Sequence, residues 1–363
     1  MTKQPLSDRI RRLQLQLDAW GIDALLFFDM NNIRYFTGFS GSEGVLLVGP
    51  GCTAHLLVDG RYTTQAKAET ETEGIDLVHM TDKIKNIASL LTAQSIGIVG
   101  FEDAVTSVQL LHLLKKKNRR VRFKPVSGET EFLRSCKDDQ EIILMRGAAR
   151  IAADSLNAVL PFIKSGACER DIALELEYRM RKNGADKVAF DTIIASGPNG
   201  ALPHSRAGNR KFKPGDAVVV DYGAVYKGYH SDETCTFFIE RVETDLKAVY
   251  GLVKEAHDRA MDAAIAGRLC REVDRVARDI ISREGWGGHF THGTGHGVGL
   301  DVHEPPRVSP QSECLLAEGM VVTIEPGIYL PGKWGVRIED TILVTSGKAE
   351  VLTKMSKEIT ILG

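Results

Sequence analysis

The chain has 363 residues, 43% hydrophobic and 26% charged, which is length and composition for a sizeable core in more than one domain. Its 46 Lys and Arg against 48 Asp and Glu leave a formal net charge of −2, which argues against a nucleic-acid-binding surface. No apolar run nears the roughly 18 residues that cross a bilayer, and the amphipathic segment 1–18 is unlike a secretory leader, so neither disorder nor membrane insertion is expected.

Residues 7–20 show helical spacing through Ile10, Leu13, Leu17 and Trp20, ended by Gly21. Strands are expected at 24–28, 45–48 and 56–58, and helices at 84–93 and 104–117 with a buried strand at 96–101 between them. This alternation predicts an α/β domain over 1–132, closing in the polar stretch 125–134. The basic run 115–124 (KKKNRRVRFK) reads as a solvated helix end without function. From 133 to 363 the pattern is α+β: helices at 138–160 and 169–183, strands at 190–195, 217–226 and 229–239, helices at 246–266 and 271–284, and strands at 320–325, 336–344 and 357–362. The six cysteines (52, 136, 168, 235, 270 and 314) form no CxxC and read as free thiols, consistent with a cytoplasmic location.

Chemistry concentrates in the second domain. Two apolar strands flank Lys227–Gly228, a plausible two-residue turn. If Tyr226 faces Tyr229, Asp232 lies opposite Gly223, and Asp221 becomes its diagonal neighbour on the same face. Two acids in an apolar hairpin repel one another and lose hydration unless a cation lies between them. Glu325 closes the apolar strand MVVTIE, and Glu339 sits in GVRIEDTILV two residues after Arg337. Four acids in apolar strands of one domain suit hard divalent ions better than a zinc–thiolate site.

Seven of the ten histidines follow residue 200, and four crowd into 289–303 (HFTHGTGHGVGLDVH). His292 and His296 have helical i, i+4 spacing, but Gly293, Gly295, Gly297 and Gly299 argue for an extended, closely packed backbone, and the GxGxxG spacing fails. In such a segment His292 and His296 share a face, while His303 lies beyond in a different environment. Each histidine alone is more simply a structural residue; beside four carboxylates, one of them becomes a candidate fifth ligand.

The motifs VVVDYGA, SDETCTF, HGTGHGVGLDVHE, TIEPGIY and GVRIEDT together resemble the pita-bread metallopeptidases, the family of methionine aminopeptidase, aminopeptidase P, prolidase and creatinase. NIRYFTGFSGS and LLVDGRYTTQA resemble the creatinase-type N-terminal domain, which points to the prolidase and aminopeptidase P branch. The resemblance implies an α/β N-terminal domain followed by an α+β pita-bread catalytic domain. It implies two divalent ions, Mn²⁺ foremost with Co²⁺, Fe²⁺ or Zn²⁺ compatible. Asp221 would hold one ion, His296 and Glu325 the other, while Asp232 and Glu339 bridge them; Glu325 would also accept a proton from the attacking water. His204 and His303 would complete the catalytic set, His204 by binding substrate and His303 by stabilising the tetrahedral intermediate. The substrate-binding set would be His292, lining the pocket, Arg307, holding a substrate carboxylate, and Arg337, which would also anchor or orient the metal-site carboxylates. Relatives often carry Arg between the two threonines after the second Asp; here Cys235 stands there, leaving any salt bridge from that position in doubt.

The implied activity is hydrolysis of the bond between an N-terminal residue and proline, by an Xaa-Pro dipeptidase acting as a homodimer on small peptides. An Xaa-Pro aminopeptidase is the alternative, with a creatinase-like amidinohydrolase or a silent binding module more distant.

Overall fold

The structure, a computed structural model, describes residues 4–50, 54–70 and 74–363; Cys52 and residues 1–3 of the first expected helix lie outside them. Two compact units divide the chain, Met1–Arg134 and Ser135–Gly363. No helix among the described residues is long and apolar enough to cross a membrane.

In the first unit the helices are α1 (Gln4–Leu17), α2 (Met30–Thr37), α3 (Thr63–Glu69), α4 (Lys83–Ala93), α5 (Val108–Lys117) and α6 (Glu129–Phe132). The strands are β1 (Ala24–Phe27), β2 (Val45–Val48), β3 (Ala54–Val58), β4 (Ile75–His79), β5 (Ile98–Glu102) and β6 (Arg122–Val126). Among the described residues they form one sheet ordered β4-β3-β2-β1-β5-β6. Every residue of β1 and β2 is buried, which explains why both read as unbroken apolar runs. Two expectations are corrected. The basic run 115–124 covers the end of α5, a turn and the start of β6, which pairs parallel to β5, so its last three residues are strand rather than helix end. Helix α2 carries no long apolar period and was not anticipated. Its signals are the Asp29 cap, accepting from the amides of Asn31 and Asn32, and Gly38 ending it at φ 77°.

The second unit has helices α7 (Asp139–Val159), α8 (Glu169–Lys182), α9 (Thr244–Ala263) and α10 (Cys270–Arg283). Its strands begin with β7 (Lys187–Val188), β8 (Ile193–Ser196), β9 (Ala217–Tyr222), β10 (Ala224–Tyr226), β11 (Tyr229–His230) and β12 (Glu233–Ile239). They continue with β13 (Gly295–Gly297), β14 (Glu304–Val308), β15 (Val321–Ile324), β16 (Gly327–Leu330), β17 (Trp334–Arg337), β18 (Asp340–Leu343), β19 (Glu350–Val351) and β20 (Ile361–Leu362). Among the described residues the larger sheets run β20-β12-β9-β8 and β14-β13-β15-β18-β19. Ile151, Leu156, Ile172 and Leu176 of α7 and α8 pack on Ile194, Val218, Val220 and Phe237 of the first sheet. Val249, Val253, Val273 and Ala277 of α9 and α10 pack on Val322, Ile324 and Ile342 of the second. Helices thus cover the outer faces and leave the acid-bearing faces to one another. The continuous strand expected at 336–344 is instead broken between Arg337 and Asp340: β17 pairs with β16, β18 pairs with β15, and the Glu339 amide donates across to Thr234 O at 3.1 Å.

Candidate metal centre and active site

The hairpin register follows the alternation read from the sequence. Tyr226 faces Tyr229, and further along Thr234 faces Asp221 and Glu233 faces Tyr222. Lys227 and Gly228 both have positive φ, 49° and 84°, as a two-residue primed turn requires. Strand β13 is pinched between β14 and β15. A Cβ on Gly295 would lie 1.9 Å from Thr323 O, and one on Gly297 would lie 2.3 Å from Pro305 O, so only glycine fits either side of His296.

His296 therefore projects from a clamped backbone. Its Nδ1 is 3.1 Å from Gly297 O, a carbonyl that can only accept, so Nδ1 carries the proton and Nε2 is the free base. Nε2 stands 3.4 Å from Glu325 Oε1 and 3.7 Å from Asp232 Oδ2. Asp232, His296 and Glu339 each offer a ligand atom, all within 4.8 Å of one another. Asp221 joins them through Arg337, whose Nη2 donates to Asp221 Oδ2 at 2.5 Å, while Asp221 Oδ1 is buried without a hydrogen-bond partner among the described residues.

Electrostatics here is strongly unfavourable to bare carboxylates. Burial drives the carboxyl of Asp232 well above the usual range, and the charges of Glu339, Asp221 and Glu325 push it further. Burial raises Glu339 in the same way, with Glu325 and Asp221 adding to it, and raises Glu325 against the pull of His292 and Arg337. Burial also keeps His292, His296 and His303 neutral by lowering each. Four converging acids, a free imidazole nitrogen and one orphaned carboxylate oxygen fit a pair of divalent cations, which would relieve the repulsion and fill the vacant coordination.

A cavity of about 830 Å³ opens onto this cluster and is lined by all ten residues singled out in the sequence: His204, Asp221, Asp232, His292, His296, His303, Arg307, Glu325, Arg337 and Glu339. His303 is not in a separate environment, as the sequence suggested: the chain turns back so that its ring lies edge-on to His296, centroids 4.3 Å apart. Arg307 pairs across β13–β14 with His296 and stays exposed on the cavity wall. Arg337 is buried and committed to protein acceptors: besides Asp221 it donates to the Tyr329 hydroxyl at 2.9 Å, Thr234 Oγ1 at 3.2 Å and Pro203 O at 3.2 Å. Tyr329, missed in the sequence although it stands in TIEPGIY, relays this arginine to His292 Nε2 at 2.9 Å. Cys235 is buried, its thiol pushed up to about 12 by burial, and Lys357 Nζ approaches it at 3.5 Å. That ammonium reaches Glu233 at 2.6 Å and Asp340 at 3.4 Å, so the cation behind the site comes from the C-terminal segment rather than from position 235.

Two family models match the chain: Metallopeptidase family M24 over residues 143–346 and the Creatinase/Prolidase N-terminal domain over residues 9–136. A protein of Pyrococcus furiosus named Xaa-Pro dipeptidase is 38% identical over 354 residues, covering 98% of this chain and 100% of its own. Among solved structures, an Xaa-Pro dipeptidase from Bacillus anthracis superposes with a TM-score of 0.95 at 40% identity, over 98% of this chain and 100% of that one. An X-Pro aminopeptidase from Thermotoga maritima does so with a TM-score of 0.89 at 36% identity, over 98% and 100%.

Proposed function

Since the chain belongs to metallopeptidase family M24 and carries a creatinase/prolidase N-terminal domain before its pita-bread domain, we propose that it is a metal-dependent Xaa-Pro dipeptidase. The observation that carries this reading is one cavity in which four buried or half-buried carboxylates and a neutral imidazole converge while an exposed arginine, Arg307, stands on the wall. Asp221, Asp232, His296, Glu325 and Glu339 would hold two divalent cations, which when bound polarise the scissile carbonyl and acidify water.

The protein's own groups then have separable tasks. Glu325, its carboxyl raised by burial, is suited to accept a proton from the attacking water and pass it on. His303, neutral and edge-on to His296, lies where it can donate to developing negative charge. Arg337 has its donors occupied and serves to orient Asp221 rather than to bind substrate. His204 and His292 shape the pocket, His292 fixed by Tyr329. Arg307 is the group available for a free carboxylate placed directly after proline, a feature that distinguishes a dipeptide from a longer chain. The oxygen-rich donors suit Mn²⁺. Free thiols at the five described cysteines accord with a reducing, cytoplasmic setting. We further propose a homodimer, which sedimentation would test.

The deciding experiment strips the protein with chelator, restores Mn²⁺ and compares Met-Pro with a Met-Pro-Xaa tripeptide. Metal-dependent cleavage of the dipeptide alone supports the proposal. Preference for the tripeptide assigns aminopeptidase action and returns Arg307 to a structural role. Cleavage of neither refutes the peptidase reading.

A further inference from the structure

Between β8 and β9 the chain forms an arc that brings Pro203, His204, Ser205 and Arg206 to the cavity wall without support from any strand ladder. One side chain ties both feet of this arc. Glu169, the first residue of α8, is fully buried. Its Oε1 accepts from the Ser196 amide at 2.8 Å and the Ser196 hydroxyl at 2.6 Å, where the arc departs from β8. Asn199 Nδ2 reaches both carboxylate oxygens, at 3.1 and 3.0 Å. At the far foot, the Gly208 amide donates to Oε2 at 3.2 Å, while the backbone of Glu169 and Arg170 donates to the carbonyls of Arg210 and Gly208, both at 3.0 Å.

A buried carboxylate is costly unless its oxygens are filled. Here neutral donors from Ser196, Asn199 and Gly208 fill them, while the nearby Arg210 is engaged bidentately by Asp216 at 2.6 and 2.9 Å and donates also to the Ser196 hydroxyl. A neutral side chain could plug the same space, so the charge is explained by what it gathers: donors from two points 12 residues apart in the chain, on either side of His204. The arc's crest is tied in turn to the metal-site acids, because Pro203 O accepts from the same Arg337 that holds Asp221.

We propose that Glu169 is the positioning residue of the substrate arc: it touches neither substrate nor metal-site ligand, and it sets the distance of His204 from the carboxylate cluster and thereby the strength of peptide binding. This inference rests on the exopeptidase reading for the role of His204, but not for the anchoring itself.

The test is Glu169→Gln, which keeps the shape and turns one acceptor into a donor facing donors. On loss of charge-assisted bonds at one foot, KM for an Xaa-Pro dipeptide should rise about fivefold or more, as the main cause of a lower kcat/KM. Bound metal should be unchanged, and amide exchange over 200–207 should accelerate about tenfold or more against an unchanged remainder of the chain. Adding His204→Ala should raise KM little further, since both changes act on one contact. Wild-type KM with wild-type exchange, strictly additive effects of the two substitutions, or loss of metal would each overturn the proposal. If Glu169→Gln does not fold, Asn199→Ala removes two of the same bonds and must show the same pattern at smaller size. If the wild-type protein cleaves no Xaa-Pro peptide, the functional reading falls while the exchange measurement still decides the role of Glu169.

Discussion

Replacing Lys357 by Met withdraws the ammonium that pins two strands behind the metal-site acids. Glu233 and Asp340 each follow a candidate ligand by one residue, Asp232 and Glu339, so alternation turns them to the opposite side. There Lys357 meets both, at 2.6 and 3.4 Å, with its side chain and theirs almost wholly buried. The two segments also touch directly, through Thr341 Oγ1 to Asp232 O at 2.7 Å. Burial alone would raise Asp340; Lys357 and His257 outweigh it and hold the carboxyl low, so the substitution leaves real negative charge uncompensated. Removing one partner of a buried pair costs about 3–5 kcal/mol, and at about 2–4 °C per kcal/mol for a unit of this size the midpoint should fall by roughly 6–20 °C. Scanning calorimetry of the metal-free protein measures that fall. Titration with Mn²⁺ should show affinity weakened about tenfold or more, because the two acids proposed to bridge the ions lose their common backing. Adding Glu233→Gln removes one stranded charge and should recover part of the midpoint. A midpoint within about 2 °C of wild type and unchanged Mn²⁺ affinity would refute the reasoning, since a pair worth so little could not organise the site.

Three further outcomes are expected. If Asp232 bridges the two ions as proposed, Asp232→Ala should abolish binding of both ions and turnover; retained two-ion occupancy by elemental analysis would sink that assignment. Arg307→Ala should raise KM for Xaa-Pro dipeptides about tenfold or more while leaving tripeptides nearly unaffected; equal KM values in steady-state assays would remove the carboxylate-clamp role. In the first unit, burial pushes the Glu102 carboxyl up to about 7 from an ordinary 4.5, against donors from Asp29, Asn32 and Phe28. A raised folded value means that stability is full below about pH 4.5 and declines as pH rises toward 7, by on the order of 3 kcal/mol. Urea unfolding of the full chain at pH 5 and pH 8 should register this decline and Glu102→Gln should flatten it, whereas a pH-independent wild type would exclude it.

The readable parts of this protein were those governed by short periods. Period-two alternation and the Lys227–Gly228 turn were enough to place Asp221 and Asp232 on one face, because strand geometry leaves no freedom once the turn is set. Alternating glycines announced a pinched strand around His296 for the equally local reason that no side chain fits between two neighbours. Helices α7 to α10 declared themselves by apolar spacing, whereas α2, short and defined by its caps, did not. Acids stranded in apolar strands signalled a cation without a structure, since their burial has no other simple remedy.

Tertiary structure decided what lies beyond the reach of such periods. The break between Arg337 and Asp340 arises because β12 claims the Glu339 amide, a competition no local pattern encodes. His303 returns onto His296, and the Tyr329 hydroxyl links Arg337 to His292. Lys357 supplies from 122 residues away a cation that position 235 does not, and Glu169 gathers both ends of the arc around His204. The sequence by itself nominated the candidate groups and determined that Asp221 and Asp232 share a face. Which of them touch, and which neutral and charged partners hold them there, followed only from packing the strands and helices together, because a hydrogen bond depends on distance in space and not on separation along the chain.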